Sequence, residues 1–140
     1  MKSGADDEQL AGDRGRTEAA MVETETRQGG CHCGAVRYTV ELDRDPAALS
    51  CNCSMCGRAG TLLSFVPAPR FHLERGEEAT TDYLFNKHHI HHLFCRTCGI
   101  KSFARGSGAD GREMVAVNVR CLDGFEPGQF RVTQVDGRSR

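Results

Sequence analysis

The chain has 140 residues, enough for one domain with one modest core, since hydrophobic residues make up 39% of it. Lys and Arg number 18 against 19 Asp and Glu, so no excess of positive charge is available to hold a phosphate backbone or an anionic membrane. Composition therefore excludes nucleic acid and membranes as expected partners, and no apolar run approaches the roughly 18 residues that span a bilayer.

Residues 1–27 mix acids, arginines, Gly, Thr and Ala with few large apolar side chains. Such a stretch buries too little surface to offset its ordering entropy and is expected to be a flexible polar tail, with a weak helix over 9–22 as the alternative. It lacks the apolar stretch of a secretion signal, so the expected compartment is the cytoplasm. Cytosolic thiols stay reduced, and eight cysteines at short spacings then point to metal rather than to a disulfide framework.

Residues 28–140 read as a single domain. From Gly29 the texture changes to short apolar stretches broken by Gly, Pro and Asp, which suits strands and a mainly β fold. Candidate strands span 35–42, 61–66, 71–74, 81–86, 90–94, 113–119 and 130–135. In the sixth, Val115, Val117 and Val119 alternate with Ala116 and Asn118, as one buried face requires.

The first cysteine turn is Cys31-His32-Cys33-Gly34, and a similar one follows at Cys95-Arg96-Thr97-Cys98-Gly99. Two thiolates from one tight turn can occupy adjacent vertices of a zinc tetrahedron, and the following glycine allows the positive φ that curls the chain round the ion. Together the turns predict a closed structural site of Cys31, Cys33, Cys95 and Cys98. The middle cluster, Cys51-Asn52-Cys53-Ser54-Met55-Cys56, offers three thiols and no matching fourth. Three protein ligands leave a position for water or substrate, the pattern of a catalytic zinc. The alternative is that a histidine or carboxylate closes this site, for His88, His89, His91 and His92 lie just before the second cysteine turn.

His92, three residues before Cys95, is the best functional histidine, able to bind a thiolate or move a proton. Cys121 stands apart and reads as a buried, unreactive thiol, with a resolving thiol near the open zinc as the other reading. His72, between Phe71 and Leu73, reads as a solvated strand residue.

These residues carry a resemblance. Gly-Gly-Cys-His-Cys-Gly-Ala-Val at 29–36, Cys-Asn-Cys-Ser-Met-Cys at 51–56 and Leu-Leu-Ser-Phe-Val-Pro at 62–67 come first. Phe85-Asn86, His-Leu-Phe-Cys-Arg-Thr-Cys-Gly at 92–99 and Val-Asn-Val-Arg-Cys-Leu-Asp-Gly at 117–124 follow. In order and spacing they resemble the glutathione-dependent formaldehyde-activating enzyme and centromere protein V family, over about residues 28–127. Asn52 stands where many members carry a histidine.

The resemblance implies an Mss-four-like fold of stacked antiparallel sheets stapled by zinc. It implies two zinc ions per chain, one structural at Cys31, Cys33, Cys95 and Cys98, and one reactive at Cys51, Cys53 and Cys56. The expected function is that of a zinc-dependent carbon-sulfur lyase joining or separating a small thiol such as glutathione and an aldehyde or related electrophile, with His92 handling the proton. The rival expectation is a non-catalytic zinc module for protein interaction or zinc storage.

Overall fold

A computed structural model describes residues 23–84, 90–108 and 110–136. The fold is mainly β. Its strands are β1 (Thr24–Gly30), β2 (Arg37–Asp43), β3 (Ala47–Cys51), β4 (Leu63–Pro67), β5 (Phe71–Arg75), β6 (Thr80–Tyr83), β7 (His91–Cys95), β8 (Lys101–Ser107), β9 (Glu113–Asn118) and β10 (Arg131–Val135). A single six-residue helix, α1 (Ser54–Ala59), interrupts them among the described residues.

Seven strands form one sheet in the order β10-β3-β4-β9-β8-β7-β6, and β1-β2-β5 form a second. Pairing is antiparallel throughout except between β10 and β3, which run parallel. One face of the large sheet packs on the small sheet. Val36, Tyr38 and Val40 meet Phe71, Phe103, Val115 and Val117 there, all buried. The joint is aromatic: the Phe71 ring lies 5.0 Å from Tyr38 and 4.8 Å from Phe103, in the tilted arrangement such rings favour. A smaller cluster of Leu63, Ala104, Ala116 and Cys56 is separate from this core, and Cys51 and Cys53 pack against it.

The single buried face read in 113–119 is corrected: Val115 and Val117 enter the main core, but Ala116 and Asn118 on the other face are buried too, and Asn118 caps a 3₁₀ turn that takes Val119 out of the strand. Strand pairing also begins at Thr24, so residues 24–27 of the stretch read as a tail belong to the small sheet. Register with β2, Arg27 opposite Val40 and Thr24 opposite Asp43, orders them through the backbone although the Glu25 and Thr26 side chains face solvent. The expected helix over 9–22 and the end of the strand over 81–86 lie outside the described residues. None of the described helices is long and apolar enough to cross a membrane.

Candidate metal centres

The turn leaving β1 carries Cys31 and Cys33, and the turn leaving β7 carries Cys95 and Cys98. Their sulfurs all lie within 4.8 Å of one another, so the four thiols expected to meet do meet. The contacts of Cys31 with Cys33 and of Cys33 with Cys95 are both 3.6 Å. Zinc–sulfur bonds of about 2.3 Å set tetrahedral edges of roughly 3.8 Å, so the cluster already has the size of a zinc shell.

Backbone amides complete each turn. Val36 N–H donates to Cys31 Sγ at 3.3 Å, and Thr97 and Cys98 N–H donate to Cys95 Sγ at 3.4 and 3.5 Å. Gly34 and Gly99 take φ of 87° and 81°, the left-handed bend expected of the glycine after each pair. Bonds from the backbone of Ile100 and Cys33 pull the Cys98 thiol down to about 6. Cys33 also receives a backbone bond at Ala35 that favours its thiolate, yet the sulfurs of Cys95 and Cys31 outweigh it and push Cys33 up to about 11. Four thiolates cannot coexist cheaply without a cation between them, which is what a bound metal supplies.

The second cluster forms where β3 ends and α1 begins. Cys53 is the N-cap of α1, and its sulfur accepts the Cys56 N–H at 3.3 Å, so one turn of helix brings the two thiols together. Cys51, the last residue of β3, supplies the third sulfur, again within 4.8 Å of the others. Among the described residues, no histidine or carboxylate joins this trio; His88 and His89 lie outside the described residues. Burial and then Cys53 push the Cys56 thiol up to about 11, whereas for Cys53 the N–H bonds outweigh burial and favour the thiolate.

His92 is 6% exposed, and its Nδ1 lies 2.7 Å from Lys101 Nζ. It stands one residue from the core-facing row, opposite Ala104, and belongs to neither sulfur cluster. Lys101 is the residue that sequence reasoning missed. It is half-buried, and burial lowers its pKa while the charges of Cys56 and Cys53 act to raise it. A lysine beside a cysteine turn carries no signal by itself. Pairing of β7 with β8 sets Phe94 opposite Lys101, and the Lys101 amine meets His92 across the same two strands.

Cys121 is partly buried, with Sγ 3.9 Å from the Lys101 carbonyl, and burial pushes its thiol up to about 11. It belongs to neither sulfur cluster. His72 is exposed on β5. Next to Cys121 a groove of about 640 Å³ opens between the end of α1 and the four-thiol turns.

A model of the family described as glutathione-dependent formaldehyde-activating enzyme matches residues 26–134. A crystal structure of a Rhodobacter sphaeroides protein is similar to the whole fold, with a TM-score of 0.65 and 36% identity, covering 76% of this chain and 99% of that one. The family match takes in the two cysteine turns, the trio and nearly all of the strands that hold them. On this match the chain belongs to the glutathione-dependent formaldehyde-activating enzyme family.

Proposed function

We propose that the chain is a zinc-dependent carbon-sulfur lyase, making and breaking the bond between a small thiol such as glutathione and an aldehyde carbon, in the cytoplasm. The observation that carries this reading is the asymmetry of the two clusters: four converging thiols in one, three in the other with no further described protein ligand. A closed four-thiolate shell suits a structural ion, and a three-thiolate shell suits one that exchanges ligands. The reading assigns two zinc ions per chain, held by Cys31, Cys33, Cys95 and Cys98 and by Cys51, Cys53 and Cys56.

When bound at the trio, zinc supplies a Lewis acid that favours the thiolate form of an incoming thiol. The chain supplies the rest. In the forming direction a sulfur–carbon bond is made, the carbonyl π bond opens, and the thiol proton ends on the carbonyl oxygen as a hydroxyl. Cleavage reverses each change. Lys101 carries a positive charge that the Cys56 and Cys53 thiolates favour, and in this reading it stabilises the negative charge that develops on that oxygen. His92 holds the Lys101 amine through Nδ1 and thus acts behind it rather than at the sulfur itself. Holding both reactants side by side adds the advantage of proximity.

Zinc per chain before and after titration with glutathione and formaldehyde tests the reading. Two ions, one of them perturbed by the thiol, are expected, and Cys53→Ser should lose one zinc together with turnover of the thiol–aldehyde adduct. Two ions untouched by any thiol would instead support the non-catalytic zinc module. If Cys53→Ser kept both zinc content and turnover, the lyase reading would be wrong.

A further inference from the structure

A second cavity, of about 370 Å³, opens between the two sheets, and no cysteine lines it, so it belongs to neither sulfur cluster. Strand register builds it. His91 stands opposite Arg105, and Leu93 stands opposite both Asp82 and Phe103. Alternation along β6, β7 and β8 then puts these side chains on the face of the large sheet that meets the small one. Leu73 of β5 closes the cavity from the small sheet, giving it an apolar floor with Leu93 and Phe103. Its volume is that of a small-molecule site.

Both signs of charge line this space. Arg105 is half-buried, with its guanidinium over the Phe71 ring at 5.5 Å and over the Phe103 ring at 5.3 Å. Glu113, two residues from Val115 on β9, is the diagonal cross-strand neighbour of Arg105 and within reach of a long side chain. Arg105 nevertheless pairs with the rings and with no acid among the described residues. A guanidinium stacked in this way keeps its N–H edge for a carboxylate, which it can hold through two bonds. Three acids share the wall. Asp82 is engaged by His91 Nδ1 at 2.6 Å, whereas Glu77 and Glu113 form no ion pair among the described residues.

A cation without an acid and two acids without a base thus face one cavity over an apolar floor. An anionic ligand would meet Arg105 but be repelled by Glu77 and Glu113, and a cationic ligand would meet the reverse. A ligand carrying both charges satisfies every group. We infer that this cavity binds a zwitterion of the α-amino-acid class with an apolar side chain. Its carboxylate lies on Arg105, its ammonium on Glu77 and Glu113, and its side chain against Leu73 and Leu93. The inference does not depend on the lyase reading, since none of these residues belongs to the trio or to the groups proposed to act beside it.

The test is calorimetry on the full zinc-loaded chain with three probes: L-leucine, its methyl ester, which lacks the anion, and N-acetyl-L-leucine, which lacks the cation. L-leucine should bind about tenfold or more tighter than either, the usual size of a charge-assisted contact. Arg105→Gln should reduce L-leucine to the level of the methyl ester, and Glu77→Gln combined with Glu113→Gln should reduce it to the level of the N-acetyl compound. Zinc content and adduct turnover should stay unchanged in both. Should Arg105→Gln lose its fold by circular dichroism, the three wild-type affinities decide alone. A methyl ester that binds as tightly as L-leucine would make this a cation site, and an equally tight N-acetyl compound would make it an anion site. Either result, or no heat with any probe, overturns the zwitterion site.

Discussion

His92 shows what burial does to a single group. It is 6% exposed, and burial, then the nearby Lys101 ammonium, pull its pKa down to about 4 from an ordinary value near 6.5. The folded state therefore resists protonation that the unfolded chain accepts. Stability attributable to His92 is fully present above about pH 6.5 and is lost as pH falls toward 4, at no more than about 1.4 kcal/mol per pH unit. Zinc ligands titrate as well, so the measurement is a difference: denaturant melts of wild type and His92→Gln at matched zinc content, between pH 7 and 4. The variant should lose less stability across that window; parallel curves would mean that folding leaves the His92 ring as basic as in the unfolded chain. Cys121 gives a second residue-level expectation. With its thiol pushed up to about 11, it should stay unmodified by iodoacetamide at pH 7 in the zinc-loaded protein, as mass mapping of the alkylated chain would show. Rapid alkylation would revive the resolving-thiol reading. The two cysteine clusters were legible because thiol spacing is itself the geometric constraint. Lys101 was not, because a lysine's default place is solvent and its contact with His92 depends on strand pairing that its own neighbours in sequence do not signal.

At the scale of elements, strands with an apolar face announced themselves and polar ones did not. Arg37–Asp43 and Phe71–Arg75 bury alternate side chains, Glu113–Asn118 buries both faces of its second half, and all three lie within a residue or two of the expected spans. Thr24–Gly30 exposes most of its side chains, and Lys101–Ser107 mixes Lys, Ser, Arg and Gly with a single aromatic. Both are held by neighbours on two sides or by backbone pairing, so their order comes from partners distant in sequence. Helix α1 was hidden for another reason: six residues are too few for a helical period, and its start is set by the Cys53 cap. The β1–Cys31 junction makes a sharper prediction. A Cβ on Gly30 would overlap the Val36 carbonyl oxygen, and Cys31 N–H donates to that same oxygen at 3.1 Å. Backbone cannot step aside there without breaking the Val36–Cys31 sulfur bond as well. Gly30→Ala should therefore cost about 1–3 kcal/mol in a denaturant melt and lower zinc retention, whereas an unchanged midpoint would show that the turn has slack.

At the scale of the molecule, the four-thiol site is a joint between the two sheets, since Cys31 and Cys33 follow β1 of the small sheet and Cys95 and Cys98 follow β7 of the large one. Cys33 and Cys95 are 62 residues apart in sequence and 3.6 Å apart at sulfur, so an ion there closes a long loop across the aromatic core. Metal affinity at such a site adds on the order of 10 kcal/mol, comparable with the whole stability of a domain this size. The trio is placed differently. It packs on the small Leu63, Ala104 and Ala116 cluster, apart from the main core, and its cysteines lie on one stretch of chain at the end of β3 and the start of α1. Removing metal should then proceed in two stages. A chelator titration followed by zinc release and by tyrosine and backbone circular dichroism should lose the first ion with the fold intact and the second together with the fold. Cys53→Ser should show only the second stage, and Cys95→Ser should lose the cooperative transition altogether, because one half of the joint is gone. Simultaneous loss of both ions with unfolding would instead make the trio a structural element, and the chemistry proposed for it would have to be sought elsewhere on the sheet.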